Sequence, residues 1–217
     1  MIKIEDLGFA KGVICETIVS TYSNHGIPNF APMGVMKLDQ KKIMIKIYKT
    51  SNTYKNLLTN CCAVVNLCSD PSMFYMSAIK EAKIENKKFL DLFEKGDLVN
   101  APKLKSADAT LEVVVVEFKE ENLEKAKIVF EVKSIKGKRC FPKVHCRAFS
   151  ATIESIILAT RIRFYLVGDQ LQKKQANKMI EKVMWLKEIV KRTTPKSKQA
   201  DIMSDLIRRI ESWKANA

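Results

Sequence analysis

The chain has 217 residues, 47% hydrophobic and 29% charged, the balance of a folded water-soluble protein able to bury a sizeable core in one domain or two. No apolar run approaches the roughly 18 residues of a membrane span, and the opening Met1–Asp6 does not read as a signal peptide, so no membrane partner and a cytoplasmic location are expected. The net charge of +14 admits nucleic acid as a partner, yet residues 171–217 hold half of it, with 12 basic and 5 acidic side chains on polar helix faces and no aromatic stacking pattern. A solvated lysine-rich surface is the expected reading, with an acidic partner or anionic substrate as the alternative and nucleic acid as a weaker one.

Six cysteines occur, Cys15, Cys61, Cys62, Cys68, Cys140 and Cys146, with no CxxC pair and two histidines, so no zinc site is expected. Most of them sit in apolar strand-like runs and read as reduced core residues. His25 and His145 have no visible catalytic partner and read as surface or core histidines.

In chain order, Val13–Tyr22 is β-branched and apolar, a strand by composition, and Ser23-Asn24-His25-Gly26 supplies turn chemistry. Asn29–Met36 is a second strand. Its Pro32 and Gly34 imply an edge, a bulge or a close approach by a ligand. Lys41–Tyr48 is a third strand, and Cys62–Leu67 is a fourth, apolar throughout except for Asn66. A buried amide must find partners, so Asn66 is either a strand-end anchor or a ligand contact. Asp70-Pro71-Ser72 caps a helix running to about Ile79, and Asn86–Phe93 can form a further turn or two. Ala109–Lys119 and Ala126–Lys136 form a long hairpin. About six mostly antiparallel strands with short connections predict a small barrel, an α+β and mainly β fold.

From Ser150 the apolar period becomes helical, and Gly168-Asp169 and Thr193-Thr194-Pro195 divide the remainder into three amphipathic helices. The expected domains are therefore residues 1–149 and a helical segment, 150–217. Those helices could cover the barrel, pack on one another or complete a dimer.

Between the third strand and the fourth lies Lys49-Thr50-Ser51-Asn52-Thr53-Tyr54-Lys55-Asn56. Small polar residues at a helix start are ordinary caps. The same start, with free N–H groups, the positive end of the macrodipole, hydroxyls and Lys46 and Lys49, is also a seat for a phosphate.

Asn29-Phe30-Ala31-Pro32-Met33-Gly34, Thr50–Leu57 and Val64-Val65-Asn66-Leu67 follow one another at intervals similar to those of the flavin reductase-like, FMN-binding split-barrel family. The likeness covers residues 13–68 well and 145–161 moderately. It is nearer still to a subgroup of small archaeal proteins of unassigned function, in which a stretch like Arg147–Glu154 opens a helical segment. The resemblance implies a six-stranded split β-barrel of FMN-binding type with a C-terminal three-helix segment. It further implies an FMN-binding homodimer with flavin at the interface, an NAD(P)H-linked oxidoreductase or else a carrier or sensor of FMN. The cofactor-binding residues it implies are Ala31, Pro32, Met33, Gly34, Tyr48, Lys49, Thr50, Ser51, Thr53, Asn56, Asn66 and Arg147. Ser51 and Thr53 would hold the phosphate and Lys49 neutralise it, while Ala31–Gly34 would run along the ring. The serine-rich strand of many flavin reductases is here Met33-Gly34-Val35, so those hydroxyl contacts are missing. Arg147, Glu154 and Arg161 recur at intervals of seven, either as an ion-pair row tying helix to barrel or with Arg147 reaching the flavin.

Overall fold

The computed structural model describes residues 2–79, 89–137 and 146–217. They divide into two compact units, residues 1–69 with 83–140 and residues 70–82 with 141–217.

In the first unit β1 (Ile14–Tyr22), β2 (Pro28–Lys37), β3 (Lys42–Tyr48) and β4 (Cys62–Leu67) match the four apolar runs to within a residue or two. A short hairpin follows, β5 (Phe93–Lys95) with β6 (Pro102–Leu104), and then the long pair β7 (Ala109–Glu120) and β8 (Lys125–Gly137). The barrel closes in the order β1-β2-β3-β8-β7-β4, every neighbour antiparallel. Alternation sends Val19, Val35, Ile43, Ile45, Ile47, Val65, Leu111, Val113, Ile128 and Phe130 inward. Each side chain of this kind stabilises by about 1.5–3 kcal/mol when fully buried. Ile4 and Phe9, flanking a short 3-10 turn at Glu5–Leu7, join the same core.

The ladder between β2 and β3 is short. Val35, Met36 and Lys37 pair with Ile45, Met44 and Ile43, whereas Pro28–Gly34 pair with β1 alone among the described residues. The barrel is thus split along the first seven residues of β2. Helix α1 (Asn52–Asn60), which follows β3, packs on β1 and β2.

Buried polar side chains, Asn66 and Glu112 among them, tie the β5–β6 region to the barrel. Asn66 is wholly buried; its Nδ2 donates to Ile18 O and Ser20 Oγ, both at 2.9 Å, and its Oδ1 accepts the Leu104 N–H at 2.8 Å. Glu112, 1% exposed, accepts the N–H groups of Asp97, Leu98 and Val99 at 3.0, 2.6 and 3.0 Å. That loop also requires Gly96, where a Cβ would lie 2.7 Å from Val99 O and 2.8 Å from Ala101 O. Strands of three residues carry too few positions for an alternating pattern, which is why this hairpin is absent from the sequence reading.

The second unit holds α2 (Pro71–Ala78), α3 (Arg147–Leu166), α4 (Gln170–Thr193) and α5 (Lys198–Ala215). Three of these four starts have a side-chain cap. Asp70 accepts the Ser72 N–H at 2.9 Å, Asp169 and Gln172 form a capping box, and Ser197 accepts from Ala200. Helix α3 begins at Arg147 rather than Ser150, since Cys146 is an N-cap without a side-chain bond and leaves no signal. Within this unit the helices pack on one another, α3 on α4 and α5, with α2 against α3 and α5. The segment 70–82 therefore groups with the helices and not with the strands that precede it.

Helix α2 is locked to α5 by a polar triad. Tyr75 donates its hydroxyl proton to Asp205, and Arg209 Nε donates to Tyr75 Oη at 2.8 Å and to Asp205 Oδ2 at 2.7 Å. Burial, reinforced by the bond to Asp205, raises the Tyr75 phenol to about 12. For Asp205 burial acts upward, but bonds from Tyr75, Arg208 and Arg209 outweigh it and hold the carboxyl well below its ordinary value.

Two measurements test these anchors. Glu112→Leu leaves one buried and two part-buried N–H groups without an acceptor and should lower stability in urea unfolding by about 3 kcal/mol, with Glu112→Gln losing less. The Tyr75 contribution, belonging to a group with a raised value, is complete below pH 10 and lost as pH rises towards about 12. The Asp205 contribution is complete above its ordinary 3.8 and lost as pH falls below it. The alkaline arm of stability against pH should weaken in Tyr75→Phe and the acid arm in Asp205→Asn.

Candidate functional site

Strand β3 ends at Tyr48, and Thr50 and Ser51 turn the chain into α1. Ser51 has the extended backbone of an N-cap, and its Oγ accepts the Tyr54 N–H at 3.2 Å. The capping interpretation of this stretch therefore describes a real bond. It uses one of the donors at the helix start. The amides of Asn52 and Thr53 have no acceptor among the described residues, so two N–H groups remain at the positive end of the macrodipole.

Beneath that turn lies a polar cluster. Thr53, 2% exposed, accepts at Oγ1 from Asn29 Nδ2 at 3.1 Å. Thr21, wholly buried, accepts at Oγ1 from Asn56 Nδ2 at 2.9 Å and from Asn29 Nδ2 at 3.5 Å. Thr21 and Asn29 oppose each other across the β1–β2 ladder, and Thr53 and Asn56 are three apart on one face of α1. One turn later Asn60 Nδ2 donates to Tyr22 O at 2.8 Å. Thr21 and Asn29 are absent from the expected site set. Their signal was a hydroxyl and an amide at the ends of otherwise apolar strands.

The remaining expected residues fall into three groups. Near the turn, Lys49 is held by its N–H to Glu124 O at 2.8 Å and by Nζ to Glu120 at 2.7 Å, while Lys46 pairs with Glu121 at 2.7 Å. Glu120 is 81% exposed, and such a pair is worth about 0–1 kcal/mol, so Lys49 can exchange it for a nearby anion. Thr50 is exposed, and Tyr48 is exposed with Lys125 Nζ 4.6 Å from its ring centre. Along the split, Ala31, Pro32, Met33 and Gly34 are half-buried and pair with Val19, Ile18, Thr17 and Glu16. Pro32 carries no N–H, so it adds no donor to the unpaired edge. At Gly34 a Cβ would approach Ile14 Cγ2 to 2.6 Å, which gives the glycine a packing reason of its own.

Asn66 and Arg147 remain. Asn66 is the anchor of its two alternatives, because its amide is engaged between β1 and β6 and no part of it reaches the surface. Arg147 is exposed at the start of α3, in the helical unit. Glu154 and Arg161 are exposed too, and among the described residues the three form no ion pair with one another. His25 is exposed, whereas His145 and Cys140 lie outside the described residues. Cys15, Cys61, Cys62, Cys68 and Cys146 are free thiols; Cys61 departs from the expected core placement, being exposed at the C-cap of α1 with φ of 50°.

With this geometry in view, comparison with known families is informative. The model described as "Protein of unknown function (DUF447) N-terminal domain" matches residues 15–155. The chain belongs to the DUF447 family. It is similar to the crystal structure of an FMN-bound protein from Methanosarcina mazei that carries the same family model. The TM-score is 0.75, with 22% identity, 95% of this chain covered and 99% of that one. Flavoredoxin from Methanosarcina acetivorans is similar at a TM-score of 0.51 and 20% identity, over 60% of this chain and 72% of that one. This DUF447 chain thus has the split-barrel fold of the FMN-binding type, with C-terminal helices, as the sequence resemblance implied. Ser51→Ala in this DUF447 chain, measured without ligand, should lower stability by about 1 kcal/mol through loss of the cap.

Proposed function

We propose that this chain binds FMN at the split between β2 and β3, with the phosphate at the N-terminus of α1. The observation that carries the reading is the pair of amides, Asn52 and Thr53, left without acceptors where the barrel ladder is missing. The residues present fit the group. A phosphate monoester needs donors and positive potential. The turn offers both amides, the hydroxyl protons of Thr50, Ser51 and Thr53, and Lys49 on a weak, exchangeable ion pair. The half-buried strand Ala31–Gly34 beside it gives a flat ring system an edge to lie along, with Tyr48 and Asn56 completing the surround. Arg147 is a further candidate for an anionic edge of the ligand. Asn66 drops out of the ligand set. Support comes from a protein of the same family model whose structure is FMN-bound.

Bound FMN supplies the redox chemistry, and the chain supplies position and electrostatics. No general acid or base is required of the side chains, in keeping with a turn built from hydroxyls and amides. On this reading the protein is an NAD(P)H-linked flavin-dependent oxidoreductase, cytoplasmic and archaeal, working as a homodimer whose two chains share each flavin.

Titration of the purified protein with FMN, followed by flavin absorbance and thermal shift, tests the binding. A protein that stays colourless and unshifted overturns it. Anaerobic addition of NADH or NADPH should bleach bound flavin near stoichiometry; inertness would make the protein a carrier or sensor instead. Ser51→Ala with Thr53→Ala removes two donors to a dianion. At about 1.5 kcal/mol each this should weaken FMN by about a hundredfold. Riboflavin, which lacks the phosphate, should be little affected.

A further inference from the structure

Resting on the FMN reading, we infer that Asn29 is a positioning residue for the phosphate: it fixes Thr53 as a hydrogen-bond donor aimed at the anion. A threonine hydroxyl has one proton and two lone pairs and rotates to suit its neighbours. At Thr53 that choice is already made. Asn29 Nδ2 donates to Oγ1 at 3.1 Å, so the hydroxyl proton points elsewhere, and no acceptor among the described residues takes it. Thr53 is the second residue of α1, beside the free amides of Asn52 and of Thr53 itself. Accepting a bond from an amide also polarises the O–H and makes it a stronger donor.

The rest of the cluster holds Asn29 in that role. Its Nδ2 is shared with Thr21 Oγ1 at 3.5 Å, and Thr21 is gripped from the other side by Asn56 Nδ2 at 2.9 Å. Two carboxamides thus face two hydroxyls, every described bond runs from amide to hydroxyl, and neither hydroxyl proton has a described acceptor. The polarity of the cluster is set by the residue types. An aspartate at position 29 could only accept, would take the Thr53 proton for itself, and would leave the phosphate without that donor. Thr21 and Asn29 are register partners on β1 and β2, so the orientation of a hydroxyl on α1 is governed from the strands that border the split.

A brace for α1 would also use these bonds, and the two roles separate by ligand. FMN and riboflavin affinities of the full chain should be measured by flavin fluorescence for wild type, Asn29→Ala, Asn29→Asp, Thr53→Val and the Asn29→Ala/Thr53→Val double variant, each checked for folding by circular dichroism. Asn29→Ala should weaken FMN by about tenfold and riboflavin by less than about twofold. Asn29→Asp, nearly isosteric and the recourse if the alanine variant does not fold, should weaken FMN more, with riboflavin again little changed. The double variant should bind FMN no more weakly than Thr53→Val alone, because Asn29 acts through that hydroxyl. Equal losses for both ligands would make the cluster a brace, and additive losses in the double variant would remove Thr53 as the intermediary; either overturns the inference while leaving FMN binding intact. A wild type that binds FMN no more tightly than riboflavin would sink the phosphate reading and this inference together.

Discussion

In a closed barrel every strand edge is satisfied by a neighbour, and here two ladders, β1 with β4 and β2 with β3, are cut to three residue pairs each. Three residue pairs join β2 to β3, and then Pro28–Gly34 run on with a partner on one side alone. An unpaired edge is ordinarily a hazard, since its polar groups invite a foreign strand. Here the β2–β3 seam is met by Pro32, which lacks a donor, and by α1, whose first turn brings its own free N–H groups to the opening. The rest of the first unit serves to hold that seam open and that turn in place.

The holding is done with directional bonds, not with bulk. Apolar packing of Val19, Val35, Ile45 and Phe130 specifies a closed core, but it cannot orient a helix start to within a fraction of an ångström. The four-residue cluster of Thr21, Asn29, Thr53 and Asn56 does so because hydroxyls and amides bond only along fixed directions. Glu112 and Asn66 act in the same manner on the loop before β6 and on β6 itself, each buried and each bonded to backbone groups. In the helical unit the Tyr75, Asp205 and Arg209 triad fastens α2 to α5. Buried polar groups recur wherever one element must be aimed at another. Ion pairs on the barrel exterior, such as Lys49 with Glu120, are loose by comparison and leave their cations free to answer a ligand.

The corner combines a helix N-terminus, a hydroxyl that accepts from an amide and a lysine on an exposed ion pair. None of the three is unusual by itself, since helix starts are capped in most proteins and Ser51 caps this one. Their coincidence beside the shortened β2–β3 ladder is what sets this corner apart from a plain turn.

How much of this was legible beforehand divides along the range of the forces involved. Strands β1 to β4, β7 and β8 and the three tail helices could be read from the chain, because β-branched alternation, helical period and caps such as Asp169 and Ser197 are local properties. The turn at Thr50–Thr53 and its family likeness were legible for the same reason. The β5–β6 hairpin was not, being too short to carry a period, nor was the plug of Ile4 and Phe9, whose burial depends on a barrel distant in sequence. Tertiary structure alone decided that Asn66 anchors Leu104 and that Glu112 beside a valine run is a backbone acceptor. It alone brought Thr21 and Asn29 under Thr53, across 24 residues of chain from Asn29. Hydrogen-bond direction is set by atoms that meet only after the chain has folded, so composition and spacing can mark the polar residues but cannot say which of them will face one another.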